Sequence, residues 1–385
     1  MLVAGCGFHQ VGGSDDGGGG DADLSVLSVC SGTSVRGFEP LGTASSSSTR
    51  SGLAALSDAM AAVWEAATPS GSGAPGTLYF ARVDRLGAVG APRTVGAGQN
   101  PYLFRASDRL TLFYERANTI WMQALDDSGS SSGTAVAVYN QTYDDQSFSV
   151  AWTGQEFGLF FAGAGSDHYQ VYFLRVRADG SSLGTPQKVP QAGSNSIQPD
   201  VAWTGSRYAL AWTDVRSGVP QVYFALFDGN GARLTDDLAL TTGIRGSFPS
   251  VAAQLPAGEI VCYEQKVTDT NQEIFCTRLD GSGQVTSTRQ LSQTAAPSQS
   301  PHAVTHGGRT WVLWDDDPQN SGQQYVFWQF LDASGAPILD QPKATNFDAW
   351  RVRGVSQGSV LYEIQYHQDL TTTAWTAEVV TVNCF

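Results

Sequence analysis

Ser149–Phe161 reads SVAWTGQEFGLFF, and Asp200–Trp212 reads DVAWTGSRYALAW. The two phrases lie 51 residues apart, and a phrase repeated at fixed spacing marks a repeat architecture. The aromatic closing each phrase serves as a ruler. Downstream of Phe161 and Trp212 it recurs as Tyr263, Trp314 and Tyr362, and upstream as Tyr114 and Trp64, in steps of 47–51 residues. That makes seven copies.

Each copy has the same order of parts. An alternating apolar strand (PDVAWTG) is followed by a turn and the aromatic-closed strand (RYALAWTD). A variable loop, a third strand (QVYFALFD), a Gly-containing turn and a fourth strand (LALTTG) complete it. Four antiparallel strands in about 50 residues, repeated, describe the blades of a β-propeller, since one blade buries its faces only against neighbours. The expected fold is all-β: a seven-bladed propeller of four-stranded antiparallel blades over 23–385. The first copy, LAALSDAMAAVWEAA from Leu53, has helical propensity. Register outweighs propensity there, because Trp64 falls on the ruler; were 53–66 helical, the count would be six. The seventh copy ends at Phe385 after its third strand, AEVVTVNC, while FEPLGTA (Phe38–Ala44) lacks a blade of its own. The N-terminal segment is therefore expected to close the ring as the last blade's fourth strand.

Composition narrows function. With 22 basic and 36 acidic residues, net charge −14, the chain has no basic stripe to neutralise phosphates, so nucleic acid is not an expected partner. The same sign disfavours anionic lipid. No apolar run is long enough to cross a membrane as a helix. Val3-Ala4-Gly5-Cys6 resembles the lipobox of bacterial lipoproteins, in which the cysteine carries the lipid, and residues 1–22 then read as a lipobox-like start and a flexible Gly/Asp-rich tether. Only five residues precede Cys6, so this reading requires a start upstream of Met1. A lipidated Cys6 leaves four cysteines for two disulfides in an oxidising compartment. Ring closure would bring Cys30 beside Cys384. Cys262 and Cys276 fall on the second and third strands of the fifth copy; 51 residues earlier stand Ala211 and Ala225, small residues expected at facing sites.

Six acids follow the ruler: Glu65, Glu115, Glu264, Asp315 and Glu363 directly, Asp214 one place further. If second strands end at the loop-rich face, these acids could line the channel mouth and take a cation, a basic side chain or Ca²⁺. The alternative is structural, each acid accepting hydrogen bonds from a neighbouring blade's loop. Tyr102, Tyr143, His302 and Trp350 fall near the same face, where aromatics could stack on sugars. The Asp-x-x-Gly stretches at Asp84, Asp126, Asp228, Asp280 and Asp332 read as hairpin turns. GSSSG around Ser131 lacks the helix of a nucleophile elbow. No catalytic residue is assigned, and no metal ligands: His302 and His306, four apart in a strand, are ~13 Å apart.

The chain thus resembles the broad group of bacterial secreted or lipid-anchored β-propeller proteins with VAWTG…LAWTD blades, a repeat grammar that specifies no activity. The first expectation is a monomeric, non-enzymatic binding or scaffold propeller at the cell envelope, secreted or held as an outer-membrane or periplasmic lipoprotein. Its membrane contact would be only through an N-terminal lipid. The ligand, a glycan or an envelope protein, would sit at the loop-rich face, with no cofactor unless Ca²⁺. The alternatives are a glycoside hydrolase using two mouth carboxylates, such as Glu264 and Asp315, or a Ca²⁺-dependent lectin.

Overall fold

A computed structural model describes residues 34–44, 51–66, 76–140, 148–165, 167–254, 258–306, 308–318, 320, 324–339, 343–344, 349–357, 360–368 and 375–383. Seven four-stranded antiparallel sheets follow one another in chain order, with no helix among the described residues. The chain is a seven-bladed propeller. In blade 4, strands Ser196–Trp203, Arg207–Asp214, Gln221–Asp228 and Leu238–Ala239 run in order from the channel outward. Residues 53–66 form strands: Gly52–Ala55 is the first of blade 1 and Ala59–Ala66 the second. Propensity loses because Ala59–Ala66 is buried along its whole length, a position open only to a strand in the middle of a packed blade.

Ring closure is as the sequence implies. Ser34–Thr43 pairs antiparallel with Trp375–Asn383 and supplies the outer strand of blade 7. Leu41, 1% exposed, packs with Met60 and Trp64 of blade 1 and with Tyr362 and Tyr366 of blade 7, so the closing strand is also part of the core. Second strands are apolar on both sides because each separates two inter-blade cores. Trp152 and Trp203 of the repeated phrase pack against Phe157 and Tyr208, at 4.5 and 4.7 Å between ring centroids, within such cores. The Asp turns are hairpin turns: Asp84 accepts from Leu86 N and Ala88 N at 2.8 and 2.9 Å, and Asp280 and Asp332 repeat the pattern.

Cys262 and Cys276 face each other across the second and third strands of blade 5 and are disulfide-bonded, with Cα atoms 4.0 Å apart. The alanine argument for that pairing fails, however. Ala211 faces Phe224, and Ala225 faces Leu210, because third strands of blades 4 and 5 are offset by 52 rather than 51 residues. Cys6, Cys30, Cys384 and Tyr143 lie outside the described residues, as does the segment 1–22.

The closing strand gives a direct test. Leu41→Ala should lower the stability of the whole domain by roughly 2–4 kcal/mol, whereas Leu86→Ala, at a side chain 71% exposed, should change it by less than about 0.5 kcal/mol. Urea unfolding followed by tryptophan fluorescence distinguishes the two. A neutral Leu41→Ala would mean that the N-terminal strand is not integral to the ring.

Candidate functional site: the collar of the central channel

The first strands of the seven blades surround the channel, and in several of them a β-bulge interrupts pairing near the start. Blades 2, 4, 5 and 6 place the bulge at an X-Pro step: Asn100-Pro101, Gln198-Pro199, Phe248-Pro249 and Ser300-Pro301. The residue before each proline has φ between 50° and 54°, a conformation L-residues adopt at a cost of about 1–3 kcal/mol. Proline suits the next position because it has no N–H to leave unpaired where the ladder breaks.

The residue after the bulge points into the channel. Aligning blades by strand register puts Gly52, Tyr102, Ser149, Asp200, Ser250, His302 and Arg353 at one level. These seven form a collar around a cavity of about 250 Å³. Most reach the backbone of the next blade. Tyr102 Oη donates to Phe148 O at 2.8 Å, and Val201 N donates to Ser149 Oγ at 3.3 Å. Val251 N donates to Asp200 Oδ2 at 2.8 Å, and Ala303 N to Ser250 Oγ at 3.0 Å. His302 Nε2 donates to Gly354 O at 3.2 Å. Ser149 Oγ also donates to Asp200 Oδ1 at 3.1 Å. Blade 1 has Gly52 here because a Cβ would lie 2.8 Å from Leu103 N; the two strands touch directly. Blade 7 contributes Arg353. Burial pushes its guanidinium down from the ordinary arginine value, opposed by Asp200 and Asp315. The cavity is thus walled by an arginine, a carboxylate, an imidazole, hydroxyls and the ring of Tyr102.

The six acids expected at the mouth do not line this cavity. All are 5% exposed or less. Glu65, Glu115, Glu264 and Asp315 share one register position, directly after the ruler aromatic. Glu264 Oε1 accepts from Ser300 N, the bulge residue of the next blade, at 2.8 Å, and Oε2 accepts from Gln272 Nε2 at 2.9 Å. Glu115 Oε2 accepts from the bulge residue Asn100 at 3.0 Å. Blade 4 has Thr213 at this position, and Gln198 supplies the missing acceptor: its Oε1 takes Thr213 Oγ1 at 2.9 Å and Phe248 N at 3.4 Å. Burial, with Asp315 adding to it, raises Glu264 to about 7 despite the bond from Ser300.

Asp214 belongs to a different column, shared with Asp316. Trp212 Nε1 donates to Asp214 Oδ2 at 3.3 Å, and Trp314 Nε1 to Asp316 Oδ2 at 3.2 Å. Burial alone would raise Asp214; bonds from Arg216 and Ser194 outweigh it and hold the carboxyl below its usual range. Asp316 has no arginine beside it among the described residues and is raised by burial, against bonds from Ser298 and Thr294.

Glu363 stands in neither column. The bulge of blade 7 pairs Trp350 with Tyr366 and Arg353 with Ile364, which places Gln365, not Tyr362, at the ruler position. Glu363 then matches Ala62, Leu112, Leu159, Leu210, Val261 and Val312, facing the first strand one residue past the collar. The three-residue slip hides in sequence because Tyr362-Glu363 imitates the aromatic-acid pair. Tyr102 is half-buried, its ring 4.9 Å from Phe148. Trp350 lies in the first strand of blade 7, and its side chain is outside the described residues. Among the described residues, no three His, Cys, Asp or Glu side chains converge as a metal site. Asp200, Arg353 and the collar serines went unnoticed in the sequence. For Asp200 and Ser250 the signal was the varying residue after a recurrent X-Pro step (NPY, QPD, FPS, SPH); Arg353 and Ser149 follow no proline.

No protein-family model and no curated protein matches the chain. Solved structures match it at the level of fold. A lectin, BP39L from Burkholderia pseudomallei, aligns over 87% of this chain and 98% of its own, with TM-score 0.63 and 12% identity. A Dyadobacter fermentans protein of unknown function covers 91% and 96%, with TM-score 0.53 and 11% identity. The propeller domain of the Trilobed protease from Pyrococcus furiosus, described as having an open velcro topology, covers 90% and 94%, with TM-score 0.52 and 10% identity.

Glu264 can be tested by pH. Its folded value lies above that of an exposed glutamate, so the folded state keeps a proton the unfolded state releases. Stability contributed this way is complete below about pH 4.5 and is lost as pH rises to about 7. Glu264→Gln should flatten the fall in urea midpoint between pH 5 and 7, a contribution of roughly 3 kcal/mol. Glu264→Ala leaves Ser300 N without its acceptor and should destabilise by about 1–3 kcal/mol at pH 5.

Proposed function

We propose that the chain is a non-enzymatic binding propeller of the bacterial cell envelope, taking a small hydroxyl-rich ligand, such as the terminal sugar of a glycan, in the channel collar. The observation that carries this reading is the collar cavity, with Arg353, Asp200 and His302 around about 250 Å³. That volume is below the usual range for drug-sized ligands, which favours one ring or a chain end over an extended polymer. An arginine beside a carboxylate offers donors and acceptors together, the pattern that vicinal hydroxyls satisfy, while Tyr102 supplies an apolar wall. Hydrolysis is the second reading. It needs two carboxylates flanking the scissile bond, whereas the described lining holds one, Asp200. The lectin among the fold neighbours makes glycans the first ligands to try.

A glycan array on the fragment from Asp23, run with Ca²⁺ and with chelator, is the first experiment. Binding should appear on one or a few terminal sugars, and Arg353→Gln should weaken it about tenfold or more. Binding indifferent to Arg353→Gln would move the site off the collar. Silence in both conditions would leave an envelope protein as the ligand, and dependence on Ca²⁺ would favour the Ca²⁺-lectin reading.

Attachment by lipid at Cys6 belongs to the same proposal, as do secretion and the Cys30–Cys384 bridge. The buried Cys262–Cys276 disulfide is compatible with a non-cytoplasmic compartment. In cells expressing the chain behind a signal segment, Cys6→Ser should move the protein from the membrane to the soluble fraction. Retention in the membrane would exclude the lipid anchor.

A further inference from the structure

The seam between blades 6 and 7 departs from its counterparts in composition. Where the other blades carry an apolar side chain, blade 7 carries Glu363, and at the ruler position it carries Gln365 in place of an aromatic. Both are fully buried. Neither carboxylate oxygen of Glu363 has a hydrogen-bond partner among the described residues, and Gln365 Oε1 also lacks one. Gln365 Nε2 donates to Glu378 Oε2 at 3.2 Å within the blade. Across the seam, blade 6 presents Trp311 and Leu313 to Leu361.

An acid in such a place holds the seam closed only while it is neutral. Ionised, it would be a buried charge with no hydrogen-bonded counter-ion among the described residues, in the field of a second acid, Asp315. The titratable groups on the elements packed around Glu363 are Tyr362, Tyr366 and His367 on its own strand and Arg353 and Glu378 on the flanking strands. Blade 6 adds His302, Arg309, Asp315, Asp316 and Tyr325, while the side chains of Arg351 and His306 on these strands lie outside the described residues. Arg353 is drawn towards Asp200 and Asp315, and Asp315 is the charge that acts on Glu363.

We propose that Glu363 is a proton-operated latch: protonated, it keeps blade 7 docked on blade 6, and on losing its proton it releases the first two strands of blade 7 while the N-terminal strand still closes the sheet. Burial, reinforced by Asp315, raises the Glu363 carboxyl to about 8 in the docked state. Opening returns it to the ordinary range near 4.5. The docked state therefore holds the extra proton, and its advantage is complete below about pH 4.5 and lost as pH rises to about 8. Across that interval the open-to-docked ratio rises about tenfold per pH unit. The latch does not depend on the collar having a ligand.

Hydrogen exchange of the full chain, read by mass spectrometry and normalised to intrinsic rates, tests it. Protection in peptides from Ala349–Gln357 and Val360–Gln368 should fall roughly tenfold per unit between about pH 5 and 8 and then level off. Peptides from Ser196–Trp203 and Arg207–Asp214, at the apolar seam of blade 4, should keep their protection. Glu363→Leu, which installs the blade 4 residue, should remove the dependence, as should Glu363→Gln if the leucine variant fails to fold. Three results would overturn the proposal: protection in blade 7 indifferent to pH, an equal fall in every blade, or a fall that survives in the variants.

Discussion

First strands of adjacent blades converge on the channel without pairing as a sheet, so their backbone N–H groups need acceptors from outside the ladder. An unpaired N–H there would cost about as much as a lost hydrogen bond, repeated around the ring. The collar meets this demand. Ser149, Asp200 and Ser250 each accept from the first strand one blade on. A second tier, Glu264 and Gln198, accepts from the strained bulge residues Ser300 and Phe248. Because these joints reach forward by one blade, the geometry of the collar residues that make them is set by the neighbouring blade.

This constraint accounts for one of the recurrent acids, Glu264, which accepts from the bulge N–H of the next blade. Thr213 with Gln198 answers the same need without an acid. The collar level is where blades part company, from glycine to arginine, and where the ring leaves open volume. The blade 6–7 seam is the complementary case: there a position apolar in six blades has become an acid, with no backbone demand to account for it.

Much of the fold was legible in the chain. The ruler spacing gives seven blades, overrides the helical propensity of Ala59–Ala66, and leaves Phe38–Ala44 to close blade 7. The site was less legible, for reasons of register. Bulges at X-Pro steps shift first strands against second strands, third strands slip by one residue between blades 4 and 5, and Tyr362 stands three residues short of the true ruler position. Each shift is small in sequence and decisive for which way a side chain points.

The sequence by itself determined the repeat, the strand order within a blade and the ring closure, because these follow from periodic apolar burial and from the need to leave no open edge. Tertiary structure alone decided that Glu65, Glu115, Glu264 and Asp315 turn into the protein, that Asp200 and Arg353 face one cavity, and that Glu363 sits unpaired in a seam. The physical reason is that period fixes which residues are strands, whereas a bulge or a one-residue offset, invisible in composition, fixes which blade, which face and which neighbour each side chain meets.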